Sequence, residues 1–215
     1  MQDQKTLING LRGFLDTAAA AVSNDQFTED VTTDGTTGRL IDSDMFIDTT
    51  AQLGEAKSLL SRGLMIVHSA IESALLKQDA ITTVRDSDGQ FVMNTYKGNI
   101  PLLVSDMLSR AGTTSGTVYE SYVFGPGVIG LGSKPQTSNV GDTASLLIKE
   151  DEATNDLSVY DRRQFILHPT GAKWTGTPAD ANAGPTDPEL ATGGNWALGV
   201  SDVKRCGFVR LRTNG

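Results

Sequence analysis

The chain's two histidines and single cysteine are the residues best suited to catalysis or metal binding. They are His68, His168 and Cys206, and no Cys-x-x-Cys or His-x-x-x-His spacing places two ligands together. A Ser-His-Asp arrangement would have to be built around His168, and the sequence contains no Gly-x-Ser-x-Gly elbow to hold the serine. We expect both histidines to be structural and Cys206 to be a small core residue. The sequence therefore predicts no catalytic residue and no metal site.

Two further segments have the composition of a ligand site without its spacing. Residues 125–132, Gly-Pro-Gly-Val-Ile-Gly-Leu-Gly, resemble a phosphate-binding loop but lack the Gly-Lys-Ser/Thr ending of a P-loop. Acidic residues are concentrated between Asp25 and Asp48, but their spacing differs from that of a calcium-binding loop. We interpret the first segment as a bend between two strands and the second as a solvated loop, and we predict no cofactor.

Charged residues inside two predicted strands are the candidates for contacts with another protein. Asp161, Arg162 and Arg163 interrupt one strand pattern, and Arg210 and Arg212 alternate with apolar residues in the last one. Charges in a strand discourage unwanted edge pairing. At a subunit interface they determine register and choice of partner more than affinity. We therefore predict that these five residues lie at a subunit interface.

The composition is that of a globular protein without a membrane-spanning segment. The chain has 215 residues, enough for one large or two small domains, and 38% of them are hydrophobic. No run of eighteen apolar residues occurs, and the polar start MQDQK does not resemble a signal peptide. The net charge of −8 argues against binding to a nucleic-acid backbone, because such binding requires clustered cations. A single cysteine is typical of a protein made in a reducing cytoplasm, since the fold must hold without an internal disulfide.

Hydrophobic periodicity predicts helices in the first third of the chain. Apolar residues at spacings of three and four predict a helix over 2–22, which is followed by a polar surface loop over 23–46. A second helix is expected at 49–62, with Asp48 or Thr49 as its cap. The first third therefore contains two helices and a long connection between them.

The rest of the chain is predicted to begin with an α/β unit and to continue mostly as strands. A strand at 64–67 leads into a helix at 70–78, for which Ser69 and Glu72 have the spacing of a capping box. Residues 175–195 are predicted to form a loop, because they are rich in proline and glycine. The remaining predicted strands are 81–84, 91–96, 100–104, 118–124, 128–131, 144–148, 157–167 and 206–212.

Several segments occur in one order along the chain and are more informative together than alone. They are LMIVHSAIESALLKQ (64–78), DSDGQFVMNTY (86–96), YVFGPGVIGLG (122–132), RRQFILHPTGAKW (162–174) and PTDPELATGGNW (185–196). In this order they resemble segments of the major capsid proteins of tailed bacteriophages, which have the HK97-type shell fold. The likeness extends over about residues 50–212.

The resemblance implies an α+β chain with the HK97-like arrangement of an axial domain, a peripheral domain and part of a spine helix. Residues 1–48 would be the end of the spine helix plus a polar loop of the peripheral domain. Residues 49–156 would be mainly axial domain, and residues 157–215 would complete the sheets of both domains. The family's N-terminal arm and extended loop would precede residue 1 and are expected to be lacking from this chain.

The resemblance implies a structural subunit and not an enzyme. It would be a major capsid protein that assembles with copies of itself, as hexamers and pentamers, into the icosahedral shell around a phage DNA genome. Scaffold, portal or decoration proteins would be further partners, with no specific nucleic-acid binding and no membrane. The protein would be made in the bacterial host cytoplasm and would reside in the virion capsid. Such a shell depends on many weak, repeated contacts and requires no residue with a perturbed pKa.

Three alternatives remain open at the level of the sequence. An encapsulin-like compartment shares the fold and would be distinguished by a cargo-loading peptide partner. A phage tail or decoration protein would form rings or bind a preformed shell. A small α/β hydrolase would have a site built from scattered residues such as His68, Asp106 and His168, and would lose activity when His168 is changed.

Overall fold

The computed structural model describes residues 2–21, 28–30, 41–111, 116–133, 146–151, 156–161, 165–180, 184–201 and 203–214. The chain forms two compact units. The first comprises residues 1–128 and 169–215, and the second comprises residues 129–168. Helices and strands both contribute substantially, so the predicted mixed α+β class is confirmed at this level.

Helices and strands occur in both halves of the described chain. In chain order the α-helices are α1 (Gln2–Ala21), α2 (Ser43–Ala51), α3 (Ser69–Lys77) and α4 (Asp187–Ala191). The 3-10 helices are Gly54–Arg62, Asp106–Leu108, Gly193–Asn195 and Val203–Cys206. The strands are β1 (Thr28–Asp30), β2 (Leu64–Val67), β3 (Ile81–Arg85), β4 (Phe91–Tyr96), β5 (Ile100–Val104), β6 (Ser109–Ala111), β7 (Thr117–Phe124), β8 (Ile129–Ser133), β9 (Leu146–Asp151), β10 (Asp156–Asp161), β11 (Phe165–Pro169), β12 (Ala172–Trp174), β13 (Trp196–Leu198) and β14 (Phe208–Thr213).

One mixed sheet organises the first unit. Its strand order is β1-β14-β7-β2-β5-β4-β3, with β6 paired to β7. Strand β1 is parallel to β14 and β2 is parallel to β5, whereas the other neighbours are antiparallel. The register places Arg212 opposite Glu120 and Arg210 opposite Tyr122. Because side chains alternate along a strand, these four residues share one face of the sheet.

Helices cover both faces of this sheet. On one face, Met65 and Val123 belong to an apolar core shared with α2, α3 and the 3-10 helix Gly54–Arg62. On the other face, α1 packs Phe14 against Phe208 with their ring centroids 6.1 Å apart. Strands β7 and β14 are therefore buried on both faces, and their sequences do not alternate simply between apolar and polar residues.

Two glycines allow α1 to approach its neighbours closely. A Cβ added to Gly13 would contact the carbonyl oxygen of Leu190 and lie 2.7 Å from Nε1 of Trp196. That indole nitrogen donates a hydrogen bond to the same carbonyl at 2.8 Å. Gly10 is less constrained, since its added Cβ would lie 3.5 Å from the Trp196 ring. Glycine lowers the helix propensity of α1, but at position 13 the packing requires it.

Many of the predicted elements are confirmed. The first helix, the strand at 64–67, the hairpin at 81–96, the strand at 100–104 and the last strand all lie within a few residues of their predicted bounds. Cys206 is buried in the core as predicted. These segments have strong periodicity or clear turn residues, which are the signals that sequence reasoning uses best.

The predicted polar loop over 23–46 is wrong in two places. Residues 28–30 form strand β1, and α2 begins at Ser43, several residues before the predicted helix. Asp42 caps that helix, because its Oδ1 accepts a hydrogen bond from the Met45 backbone N–H at 2.9 Å. The predicted caps at 48 and 49 therefore lie inside α2. The remaining residues of the loop, 23–27 and 31–40, lie outside the described residues.

The second half of the chain also differs from prediction at two points. The long strand predicted at 157–167 is divided into β10 and β11, and residues 162–164 between them lie outside the described residues. The predicted loop at 175–195 contains the short helix α4. Thr186 and Glu189 form a capping box at its start, a pattern hidden among prolines and glycines.

The second unit consists of paired strands in its described part. Strands β9 and β10 form an antiparallel pair in which Val159 lies opposite Ile148. Strands β8 and β11 form another two-stranded sheet. Leu131, Val159 and Ile166 are exposed within the chain, although residues of their type are usually buried.

Candidate functional site: a buried ion network and two surface features

Two of the residues predicted for a subunit interface, Arg210 and Arg212, lie within the first unit. They are two positions apart on β14 and point to the face covered by α1. The Arg210 side chain has no solvent exposure, and that of Arg212 is 12% exposed. Both guanidinium groups contact Oδ1 of Asp16 on α1, Arg210 through Nη2 at 2.9 Å and Arg212 through Nη2. These cations therefore pair with a helix of the same chain.

Glu120 on β7 is the central anion of this arrangement. Its buried carboxylate accepts a hydrogen bond from Nε of Arg12 at 2.6 Å and another from the Tyr122 hydroxyl at 3.0 Å. Arg110 and Arg210 approach its Oε1 at 3.6 and 3.5 Å. Arg212 also approaches Oε1, with Nε at 3.6 Å. We call these residues the ion network: Arg12, Asp16, Arg110, Glu120, Tyr122, Arg210 and Arg212.

The ion network keeps its carboxylates charged despite their burial. Burial disfavours the ionised form of Glu120, but Arg210 and Arg12 outweigh that effect and lower its pKa. The pKa of Asp16 is likewise lowered, because Arg210 and Arg212 outweigh burial. Burial, and then the neighbouring Glu120, raise the pKa of Tyr122, so its hydroxyl remains a hydrogen-bond donor. The charged form is therefore part of the native structure.

The ion network fixes the position of α1 on the sheet. Arg12 also donates from Nη2 to the backbone carbonyls of Met107 and Ser109, at 2.9 and 3.2 Å. One helix is thus connected to β6, β7, β14 and the turn before β6. A buried ion pair contributes little net stability compared with an apolar contact, but it strongly penalises arrangements in which one partner is lost. The network therefore specifies one position for the helix.

The other predicted interface residues are less fully placed. Asp161 is the last residue of β10 and lies opposite Leu146. Arg162 and Arg163 lie outside the described residues. The predicted role of all five charged residues at a subunit interface stays a prediction. For Arg210 that role would be indirect, because its side chain is enclosed within its own subunit.

His68 has a structural role at the start of α3. Nδ1 of His68 accepts the Ala70 backbone N–H at 3.0 Å and so caps α3, a role that the sequence assigned to Ser69. Asp106 lies 3.9 Å from Nε2 of His68. Oγ of the neighbouring Ser69 lies 3.5 Å from the same Nδ1. His168 belongs to the second unit.

The glycine-rich segment that resembles a phosphate loop forms one wall of a surface pocket. We call it the glycine pocket; its volume is about 720 Å³, and its lining residues are 53–56, 125–128, 170 and 204–207. Gly54, Gly127 and Gly207 have positive φ angles of 56°, 73° and 70°, which favour glycine. Lys204 and Arg205 contribute positive charge, and Glu55 contributes negative charge.

The β3–β4 hairpin carries apolar side chains that its own subunit leaves exposed. Phe91 is 60% exposed, Val92 46% and Met93 40%. Strand β4 pairs with β5 only at Thr95 and Tyr96. Beyond these residues β4 pairs with β3 alone, and Asn94 donates a hydrogen bond to Glu72 of α3 at 3.1 Å. The side chains of residues 82–93 are exposed. Several adjacent exposed apolar residues are typical of a surface that contacts another protein.

Other kinds of site find no support in the described part of the chain. No three His, Cys, Asp or Glu residues there are arranged to hold a metal ion. No helix there is both long and apolar enough to cross a membrane.

Comparison with known proteins identifies a relative. The chain is 32% identical, over 196 residues, to the major capsid protein of Bacillus phage SPP1. The match covers 90% of this chain. The chain is homologous to a phage major capsid protein. This capsid homologue is longer, since the matched part is 57% of its length. No protein-family model matches the chain.

Homology to a capsid protein confirms the resemblance found in the five sequence segments. Those segments did not reveal the ion network. Sequence reasoning missed Arg12, Asp16 and Glu120. Arg12 and Asp16 are four residues apart on one helix face, inside an otherwise apolar stripe. That interruption was the available signal. The partners of Arg12 and Asp16 are determined by the pairing of β7 with β14, which no local sequence pattern predicts.

Proposed function

We propose that this protein is a structural subunit of an icosahedral phage head, a major capsid protein that assembles with copies of itself into the shell around the DNA genome. The observation that carries the proposal is the match to the SPP1 capsid protein across 90% of this chain. A match this extensive includes both compact units and is not confined to one motif. We propose the virion capsid as its location and the bacterial host cytoplasm as its place of synthesis.

We propose further that the chain has the HK97-type shell fold. The 20-residue helix α1 supports this proposal as the end of a spine helix, and the mixed sheet with α3 supports it as the centre of an axial domain. On this assignment residues 1–48 contribute to the peripheral domain, 49–156 mainly to the axial domain, and 157–215 to both. The ion network would then hold the spine helix against the sheet while subunits pack around it.

The proposed partners follow from the proposed shell. Copies of this chain would contact one another in hexamers and pentamers, and scaffold, portal or decoration proteins would bind to the assembly. Asp161, Arg162, Arg163 and Arg212 remain candidates for subunit contacts, and we place Arg210 among them in an indirect role. The function requires no bond-making chemistry, so we propose that the protein is not an enzyme.

The proposal is tested by electron microscopy and light-scattering chromatography of the purified chain and of the full product of its gene. Closed icosahedral particles are expected from the full gene product, alone or with a scaffold protein from the same phage. A protein that stays monomeric under every condition would contradict the proposal. Particles that package a specific protein cargo would instead support the encapsulin-like alternative.

A further inference from the structure

The distal part of the β3–β4 hairpin is exposed, and the glycine pocket is a concave surface of the same unit. The hairpin projects as two strands joined by a four-residue turn, Asp86–Gly89. The pocket is a concave surface whose walls at Gly54, Gly127 and Gly207 carry no side chains. A Cβ added to Gly127 would meet no atom within 4 Å, so the mouth of the pocket is open there. A volume of about 720 Å³ has room for a turn of several residues.

The hairpin tip and the glycine pocket lie toward opposite ends of the strands. At the pocket end, Leu64 at the start of β2 pairs with Phe124 at the end of β7. Strand β5 is parallel to β2. Strand β4 is antiparallel to β5, and β3 is antiparallel to β4, so β3 runs in the same direction as β2. The chain therefore runs along β3 away from the pocket end and reaches the tip at Asp86. One subunit cannot insert its own tip into its own pocket.

The two surfaces also have opposite charge. The tip contains Asp86, Asp88 and Arg85, whose guanidinium donates to the Gly89 carbonyl at 3.0 Å, so two negative charges and one positive charge give it a net charge of −1. Asp86 has a structural task, because its Oδ1 accepts the backbone N–H groups of Asp88 and Gln90. Asp88 is exposed and is the freer of the two carboxylates. The charged residues that line the glycine pocket are Lys204, Arg205 and Glu55, a net charge of +1, and Lys204 is also engaged within its own chain.

We infer that the hairpin of one copy of this chain docks in the glycine pocket of a second copy, with its acidic tip against Lys204 and Arg205 and its apolar flank at Phe91–Met93 against the pocket rim. This inference rests on the proposed function, which supplies the second copy. A contact between two different surfaces of one chain is heterologous, and it closes into a ring when the rotation between copies permits. Each contact can be weak, because several act together in a ring.

Cysteine cross-linking tests the inferred contact directly. A Ser87→Cys, Lys204→Cys double variant is expected to form a ladder of covalent dimers, trimers and larger species on oxidation, and reduction should return it to monomer. An equimolar mixture of the two single variants should stop at dimers, since each copy then contributes one bond. All variants carry Cys206→Ala, because Cys206 lines the glycine pocket and a tip docked there would otherwise react with its thiol. Ser87→Cys in this background is the control for tip-to-tip contact. Equal cross-linking by that control would overturn the inference.

Charge reversal tests the same contact without a new bond. Asp88→Lys and Arg205→Glu should each lower the yield of assembled particles by about tenfold, because like charges then meet at the contact. Combining the two should restore most of the yield, which a folding defect would not do. Lys173→Glu, an exposed charge reversal on β12, is the matched control and should leave the yield unchanged.

The outcomes separate this inference from the proposed function. Shells that form equally well with Asp88→Lys and with Arg205→Glu, together with a double-cysteine variant that remains monomeric, would refute the hairpin contact and leave the capsid function intact. A cross-linked ladder from a protein that never forms closed particles would support the contact and refute the shell.

Discussion

The guanidinium Nε of Arg12 lies 2.6 Å from Oε2 of Glu120, whose carboxylate has no solvent exposure. This contact joins α1, near the start of the chain, to strand β7, which lies next to β14 in the sheet. Its energetic value lies in the cost of breaking it, since a buried charge without its partner is strongly unfavourable. The relationship makes the position of α1 sensitive to a single side chain.

Replacing Glu120 by glutamine should destabilise the protein severely. The substitution keeps the shape but removes the negative charge among Arg12, Arg110 and Arg210, and we expect a loss of about 3–5 kcal/mol in the free energy of unfolding. Urea denaturation followed by tryptophan fluorescence measures it. Glu55→Gln, at an exposed position of the same unit, is the control and should change stability by less than about 0.5 kcal/mol. Equal effects of the two would contradict the assigned role of Glu120.

Acid should weaken the fold through the same carboxylates. The folded-state pKa values of Glu120 and Asp16 are lowered, so the unfolded chain binds more protons than the native state as the pH falls. The stability they contribute should therefore be complete above about pH 5 and decline below about pH 4, near the ordinary carboxyl pKa. Urea titrations across this range would measure the decline. The slope should be shallower in Glu120→Gln, and an unchanged slope would argue against the network as its source.

The two glycines of α1 should respond oppositely to alanine. Gly13→Ala should destabilise the protein by about 1–3 kcal/mol, because the new methyl group displaces Trp196 or Leu190. Gly10→Ala makes only an ordinary contact with the Trp196 ring and should gain up to about 1 kcal/mol from helix propensity. Thermal unfolding of the pair measures both changes. If Gly13→Ala were as stable as Gly10→Ala, α1 would not approach Trp196 as closely as described.

Substitutions of His68 should reveal its contribution as the cap of α3. His68→Ala removes the acceptor for the Ala70 N–H and should cost about 1 kcal/mol, whereas His68→Asn supplies another capping oxygen and should cost less. Both variants lose the ring contact with Tyr119, at 4.7 Å between centroids, so their difference isolates the cap. Chemical denaturation provides the measurement. Identical losses in the two variants would exclude capping as the main role of His68.

Local patterns were sufficient for elements whose signal is contained within a few residues. The hairpin was predictable because Asp-Ser-Asp-Gly separates two β-rich segments, and α1 because its apolar stripe is continuous. The cap of α2 was missed because Asp42 is one of several acidic residues in that polar segment, any of which has suitable chemistry. The choice between Ser69 and His68 at α3 depended on a side-chain orientation that spacing does not encode.

The ion network shows why the candidate site was only partly predictable. Arg210 and Arg212 were selected from the sequence as charges inside a strand, and an interface was the simplest way to satisfy them. In the structure they instead contact Glu120 of β7 and Asp16 of α1, which are about 90 and 195 residues away along the chain. Only strand pairing and helix placement together bring such distant charges into contact.

Strand β14 lies in the interior of the sheet, between β1 and β7, yet it is the last strand of the described chain to be synthesised. Until Thr213 has left the ribosome, β1 has no neighbour in the sheet, and Glu120 and Asp16 lack two of their cations. Strand β1 and these two carboxylates therefore reach their partners on β14 only after that strand has been synthesised.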